Sequence, residues 1–206
     1  TGANTVQCIS YVKADGTAVV ASGGIADPGS STDNALLRWD GATGDAVQDS
    51  TLIVTDNGEQ INASQPCVSV QSDEGADTVN ETGDGTAYTL ILDTERFDQN
   101  ADFSASTFTA PVTGKYLVCG SIPASGVTGM TRYFLTLVTS NRTYDILQFN
   151  PTGLEVAAES NRVFFAFSQI VDMDAADTAT LVLLISGGAK VVDITNNCNI
   201  NFCLLT

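Results

Sequence analysis

From Gln65 onward, short apolar runs alternate with turn residues, and this pattern predicts β-strands. In the last run, CNINFCLL, apolar positions alternate with two asparagines, as expected when one face of a strand is buried. Leu181–Ile185 is continuously apolar, as in a strand covered on both faces. The predicted strands are Cys67–Val70, Ala87–Leu92, Lys115–Ile122, Tyr133–Thr139, Asp145–Phe149, Arg162–Val171, Ala179–Ile185, Lys190–Ile194 and Cys198–Leu205.

So many short strands at regular spacing predict an all-β sandwich or jelly roll. The one helix-like stretch, Leu154–Asn161, spans barely two turns. The segment FTAPVTGKY at Phe108–Tyr116 predicts a strand, a tight turn and a second strand. Pro111 fixes one backbone angle and lacks the N–H that a ladder needs, and Gly114 permits a positive φ.

Residues 1–65 are more polar, and turn residues interrupt them every few positions. Because this region has few large apolar side chains, it cannot bury enough surface to fold alone, and we expect it to need partner copies. The change in composition predicts two regions, residues 1–65 and 66–206. Strands in the first region are predicted at Val6–Val12, Thr17–Ala21, Ala35–Trp39 and Thr51–Thr55.

The chain of 206 residues carries a net charge of −16. A surface this acidic repels phosphates, so nucleic-acid binding and contact with anionic membranes are disfavoured. The sequence contains no run of about 18 apolar residues, so no membrane-spanning segment is predicted.

The five cysteines, at spacings that match no metal site, are Cys8, Cys67, Cys119, Cys198 and Cys203. If Cys198 and Cys203 lie on one continuous strand, their Cα atoms are about 16 Å apart, beyond the roughly 7 Å limit for a disulfide. We therefore expect free, mostly buried thiols, as in a protein assembled in a reducing cytoplasm. A bridge from Cys8 to another chain stays open.

The sequence contains no histidine, so the commonest general base and the usual catalytic triad are absent. Carboxylate pairs such as Asp73/Glu74 and Asp172/Asp174 are in principle able to cleave glycosides, but such pairs arise by chance in so acidic a chain. We predict that the protein is not an enzyme and has no organic cofactor. The sequence DMDAAD at Asp172–Asp177 offers oxygen ligands of the kind that calcium prefers, and it is either a weak calcium site or a solvated acidic turn.

Ser31–Gly58 resembles a linker or shaft element of phage tail fibres and related virion spikes. It has a polar Thr-Asp-Asn lead, an Arg-aromatic-Asp-Gly hairpin, a Gln-Asp-Ser step, and an apolar strand that ends in Asp-x-Gly. The likeness implies a fibre-like segment that attaches to other virion proteins. An ordinary β-rich appendage is the alternative.

Three later blocks resemble the globular head of complement component 1q and its relatives, a jelly roll of the tumour-necrosis-factor type. In the family's order they are Arg96–Val118 with its Phe-x-x-Pro-x-x-Gly-x-Tyr spacing, the strand and Gly-rich loop of Asp174–Gly188, and the closing strand Asn199–Thr206. Ala176 departs from the pattern, because the family has glycine there, and no collagen repeat precedes the head. A head of this class joined to a fibre-like segment points to a phage or other virion appendage.

The resemblance implies a homotrimer whose axis is lined by head strands. By position, Tyr116 and Phe202 would lie either near the subunit contacts or in the jelly-roll core. Some family members bind calcium near the trimer axis through an aspartate that corresponds to Asp177. Receptor recognition would use loops at the distal end of the jelly roll. The candidate contact residues in those loops are Asp73, Glu74, Asp77, Asn80, Asn141 and Arg142.

These resemblances predict a phage tail or head fibre whose trimeric knob attaches to a host-cell glycan or protein. It would be assembled in the host cytoplasm and displayed on the virion surface. The alternatives are a capsid decoration or adaptor protein without receptor binding, and a bacterial surface or spore-coat adhesin.

Overall fold

The computed structural model describes residues 34–39, 47–72, 78–153 and 162–205. The chain divides into two compact units, Thr1–Ala63 and Ser64–Thr206. The described residues form strands and turns and contain no helix. The predicted strands at residues 6–12 and 17–21, the helix-like stretch at residues 154–161, and the receptor-loop candidates Asp73, Glu74 and Asp77 lie outside the described residues.

The described part of the N-terminal unit is an antiparallel sheet of three strands, β1 (Ala35–Trp39), β2 (Val47–Val54) and β3 (Gln60–Asn62). Strand β1 has the predicted bounds, and β2 begins before the predicted start at Thr51. No side chain described between residues 34 and 63 is buried. Within one chain, the described part of this sheet therefore has no apolar core of its own.

The second unit, which we call the head, contains thirteen described strands in two antiparallel sheets. The strands are β4 (Cys67–Gln71), β5 (Thr78–Thr82), β6 (Ala87–Thr89), β7 (Thr94–Asp98), β8 (Phe103–Ser104), β9 (Thr107–Thr109), β10 (Gly114–Ser125), β11 (Arg132–Thr139), β12 (Thr143–Phe149), β13 (Arg162–Met173), β14 (Thr178–Ser186), β15 (Val192–Ile194) and β16 (Asn199–Leu204).

Sheet A has the order β5-β15-β10-β16-β4-β7, and β13 pairs with the other edge of β10. Sheet B has the order β12-β11-β14-β9-β8, and β6 also pairs with β14. The chain passes from sheet A to sheet B after β10, returns to sheet A after β12 and passes to sheet B again after β13, and the first strand of the head, β4, lies beside the last, β16. This arrangement is a jelly roll, so the predicted all-β fold class is confirmed.

Aromatic contacts join the two sheets across the core. Phe108 of sheet B stacks on Phe202 of sheet A with ring centroids 4.7 Å apart, and its ring meets Tyr116 edge-on at 5.4 Å. At the other end of the sandwich, the rings of Tyr133 and Phe165 lie 3.9 Å apart. Such aromatic pairs add to the stability that apolar burial provides.

Several short strands differ from the sequence-based expectation. Strands β5, β7 and β8 were not predicted, because they are brief and their side chains are largely polar or exposed. Strand β9 is the strand that was predicted before the turn at Pro111. The bend before β10 occupies residues 111–113, as predicted, but Gly114 begins the strand and is not among the glycines with positive φ. In β14, the outward residues between the buried ones are only half-buried, so this strand is not fully covered on both faces.

Candidate functional site

The head strands end in two loop clusters, which we name the proximal end and the distal end. Strand β10 spans the distance between them, from Gly114, paired with Met173, to Ser125, paired with Arg162. The proximal end contains residues 64–66, where the chain enters the head, and the turns at residues 110–113, 140–142 and 174–177. The distal end contains the loops at residues 83–86, 126–131 and 187–191.

Glycines allow the three distal loops to pack backbone against backbone. The N–H of Gly83 donates to the carbonyl of Ile185 at 3.0 Å, and the N–H of Gly188 donates to the carbonyl of Gly83 at 3.1 Å. A Cβ atom at Gly83 would lie 2.2 Å from the carbonyl oxygen of Ala189, so no larger residue fits there. The distal loops are therefore one interlocked surface.

Of the predicted receptor-contact residues, Asn80 lies beside this distal surface. It is exposed in β5 with a φ of 56°, and its N–H donates to Oδ1 of Asp193 at 2.8 Å. The other carboxylate oxygen of Asp193 accepts from the hydroxyl of Ser125 at 3.4 Å. The backbone at Asn80 is thus held by a neighbouring strand, while its side chain faces solvent.

The predicted contact residues Asn141 and Arg142 lie at the proximal end, which corrects the expectation that their loop is distal. Strand β11 begins at the distal end and finishes at Thr139, which pairs with Ala179 at the start of β14. The hairpin from β11 to β12 must therefore turn at the proximal end. The order of hairpins along the chain does not reveal this direction without the sheet topology.

Asp177 organises the proximal turns through hydrogen bonds to both of its carboxylate oxygens. Oδ1 accepts from the hydroxyl of Ser140 at 2.6 Å and from the amide of Asn141 at 2.7 Å. Oδ2 accepts from the same amide at 2.9 Å and from the N–H of Asp174 at 2.9 Å. The hydrogen bond from Ser140, followed by that from Asp174, lowers the pKa of Asp177.

This network bears on the calcium expectation for residues 172–177. The oxygens of Asp177 already have protein donors, and the carboxylate of Asp172 accepts a hydrogen bond from the Lys115 ammonium, which lowers the pKa of Asp172. No group of three or more His, Cys, Asp or Glu side chains within residues 34–39, 47–72, 78–153 and 162–205 could hold a metal ion. Calcium binding by Asp177 remains an untested prediction.

We expect Asp177→Asn to lower the melting temperature of the head, because an asparagine side chain brings an N–H₂ group to a site that now meets three donors. The matched control is Asp174→Asn, which changes an exposed carboxylate in the same turn and is expected to leave the melting temperature unchanged. Since the pKa of Asp177 lies below its ordinary value of 3.8, its stabilising charge is present above that pH and is lost as the pH falls further.

The difference in melting temperature between the wild-type chain and Asp177→Asn should therefore be constant at neutral pH and narrow below pH 3.8. Calorimetry across this range measures it. A difference that widens toward low pH would contradict the assigned hydrogen bonds.

Tyr116 and Phe202 both belong to the jelly-roll core. Tyr116 is fully buried, its ring contacts Phe108, and its hydroxyl donates to the carbonyl of Val112 at 2.7 Å. Burial raises the pKa of Tyr116. Phe202 is buried against the same phenylalanine. Since both side chains are buried within one chain, the alternative of subunit contacts is wrong for them, and Tyr116 fastens the turn that precedes its own strand.

The outer face of sheet A, by contrast, exposes apolar side chains. On this face Ile170, Leu117, Cys203 and Cys67 form one row in register across β13, β10, β16 and β4. Ile170 is 54% exposed, and Phe164, at the distal end of the same edge strand, is 62% exposed. Leu117 is half-buried. Exposed apolar side chains at two places along one edge strand are candidates for contact with another protein.

Within that row, Cys67 and Cys203 form a disulfide, which corrects the expectation of free thiols for this pair. Their Cα atoms are 4.2 Å apart because β4 and β16 are neighbours in the sheet, although 136 residues separate them along the chain. Cys198 and Cys203 do not bridge, as predicted. The described thiols Cys119 and Cys198 are free, and burial raises the pKa of Cys198 to about 12.

No protein-family model matches the sequence, and no curated protein matches it significantly. Among the described residues, no helix is long and apolar enough to cross a membrane.

Several solved structures are similar to part of this chain. The globular domain of zebrafish complement 1qA protein is 18% identical, with a TM-score of 0.48, 69% of this chain covered and 98% of that chain. The vertex protein P5 of PRD1 is 12% identical, with a TM-score of 0.48 and coverages of 69% and 98%. Murine APRIL is 11% identical, with a TM-score of 0.46 and coverages of 68% and 99%.

The family predicted from the sequence blocks is therefore represented among the structures that this chain resembles.

Proposed function

We propose that this protein is a homotrimeric spike or fibre on the surface of a virion, and that its head attaches the particle to a host cell. The observation that carries the proposal is the outer face of sheet A, where Ile170 is exposed in the row that contains Leu117 and Phe164 is exposed at the distal end of the same strand. Burial of this face between copies would stabilise the assembly by removing apolar surface from water. We assign the protein no catalytic activity.

The N-terminal unit supports the same proposal. Its described strands leave Leu36, Leu37 and Ile61 exposed, and none of its described side chains is buried within one chain. A sheet of three short strands needs a covered apolar face to be stable. Copies of the same segment, brought together by the heads, would supply that cover and form a shaft that joins other virion proteins.

Attachment is assigned to the distal loops, which are opposite the point where the chain enters the head. Interlocked glycine backbones make this surface rigid, and rigid loops lose little conformational entropy on binding. Asn80 supplies an exposed amide beside it. Hydrogen-bonding groups of this kind suit a host-surface glycan or protein.

We expect the 206-residue chain to have three times the mass of one protomer by native mass spectrometry, and Ile170→Glu to reduce the mass to that of one protomer. Ile91→Glu is the matched control, since Ile91 is 51% exposed and lies outside the outer face of sheet A. A wild-type monomer, or equal dissociation of both variants, would contradict the trimer. Attachment is tested separately, by the binding of the trimer to host cells and by its competition with infection. A trimer that does neither would favour a role as a capsid decoration protein.

A further inference from the structure

The disulfide joins the first strand of the head, directly after the point where the chain enters it, to the last strand of the head. Cys67 is the first residue of β4, and Cys203 is one residue from the end of β16. The two cysteines face each other as a narrow, non-hydrogen-bonded pair of the ladder between β4 and β16. In the adjacent pair, the N–H of Leu204 donates to the carbonyl of Pro66 at 2.9 Å.

Further contacts fasten the same point from both sides. The amide of Gln65 donates to the carbonyl of Leu204 at 2.6 Å, and the amide of Asn100 donates to the carbonyl of Ser64 at 3.2 Å. The N–H of Gln99 donates to the carbonyl of Cys67 at 3.2 Å. The chain is thus tied to β16 on one side and to the turn after β7 on the other before it continues into the sheet.

A tension between the N-terminal unit and the distal loops must pass through this point. It would pull β4, which is only five residues long, along its own axis and away from the distal end. With the disulfide present, part of the tension passes to Cys203 and hence to β16, which is paired with β10 along six residues. Withdrawal of β4 then also requires withdrawal of β16, and the six-pair ladder between β16 and β10 resists it.

We propose that the Cys67–Cys203 disulfide is a mechanical lock that protects the head against tension applied through its N-terminal side. The inference rests on the proposed function for the direction of the tension alone. A spike that holds a particle to a cell is pulled between its base and its receptor-binding end, and the lock lies where that pull enters the head.

The experiment measures the unfolding force of single 206-residue chains. One handle is attached at the N-terminus and the other at an azide-bearing residue that replaces the exposed Thr128 in the distal loops. We expect the Cys67→Ser/Cys203→Ser double variant to unfold at a clearly lower force than the wild type. Cys119→Ser, which removes a free thiol from the same face of sheet A, should unfold at the wild-type force. Reduction of the disulfide in the folded wild-type chain provides the same comparison, and it does not depend on the folding of a variant.

A second pulling geometry separates a lock from general stabilisation. With handles at residues 128 and 142, tension crosses the head between the same two ends but does not enter through Cys67. We expect the double variant and the wild type to unfold at similar forces in this geometry. An unchanged force in the first geometry, or an equal loss in both, would overturn the lock. Because no host cell is used, this result is independent of whether the protein binds one.

Discussion

Phe108→Ala is expected to lower the free energy of unfolding by about 3–5 kcal/mol. The side chain is fully buried, stacks on Phe202 and meets Tyr116 edge-on, so its removal leaves a cavity between the two sheets. It also removes two aromatic contacts, and the remaining rings cannot close the gap without moving strands β10 and β16.

Denaturant unfolding followed by intrinsic fluorescence measures this loss. The control is Ile91→Ala, because the exposed Ile91 should change the free energy of unfolding by less than about 0.5 kcal/mol. If the two variants unfold at the same denaturant concentration, Phe108 does not hold the sheets together as described.

Removal of the disulfide by the Cys67→Ser/Cys203→Ser pair is expected to cost about 5 kcal/mol in the chain-entropy treatment of crosslinks. The reason is the length of the closed loop, since the two cysteines are 136 residues apart and the link joins the first strand of the head to the last. Without it, the unfolded chain gains conformational freedom that the crosslinked chain lacks.

The measurement compares the denaturant midpoints of the oxidised chain, the reduced chain and the double variant. Reduced wild type and double variant should agree with each other and lie below the oxidised chain, while Cys119→Ser should match the wild type in both redox states. Equal midpoints for the oxidised and reduced wild type would contradict the expected stabilisation.

The long strands of the head could be predicted because their apolar positions alternate over enough residues to define a buried face. Strands β10, β13, β14 and β16 were all predicted within a few residues of their ends. Strand β7 could not be predicted, because it lies at a sheet edge and three of its five side chains are exposed. An edge strand of this kind has no apolar pattern that distinguishes it from a loop.

Contacts between distant parts of the chain were the part that sequence reasoning missed. The spacing of Cys198 and Cys203 correctly excluded one bridge, but spacing along the chain says nothing of a partner 136 residues away in a neighbouring strand. Likewise, the sequence alone indicates that Asn141 is a free loop residue. Its hydrogen bond to Asp177 becomes evident only when the hairpin is placed beside the turn that contains Asp177. Both pairings depend on topology and register, which local patterns do not contain.

The oxidation state of the two cysteines also indicates the stage that a particle has reached. A reducing cytoplasm keeps thiols reduced, whereas the medium outside a cell allows them to form disulfides. On a virion spike built inside a cell, Cys67 and Cys203 would therefore be joined only after the particle has left its producer. A head inside the producing cell and a head on a released particle would then have the same amino-acid sequence and the same fold, and they would differ by a single covalent bond. The disulfide would therefore mark released particles, and a comparison of particles taken before and after lysis would detect it.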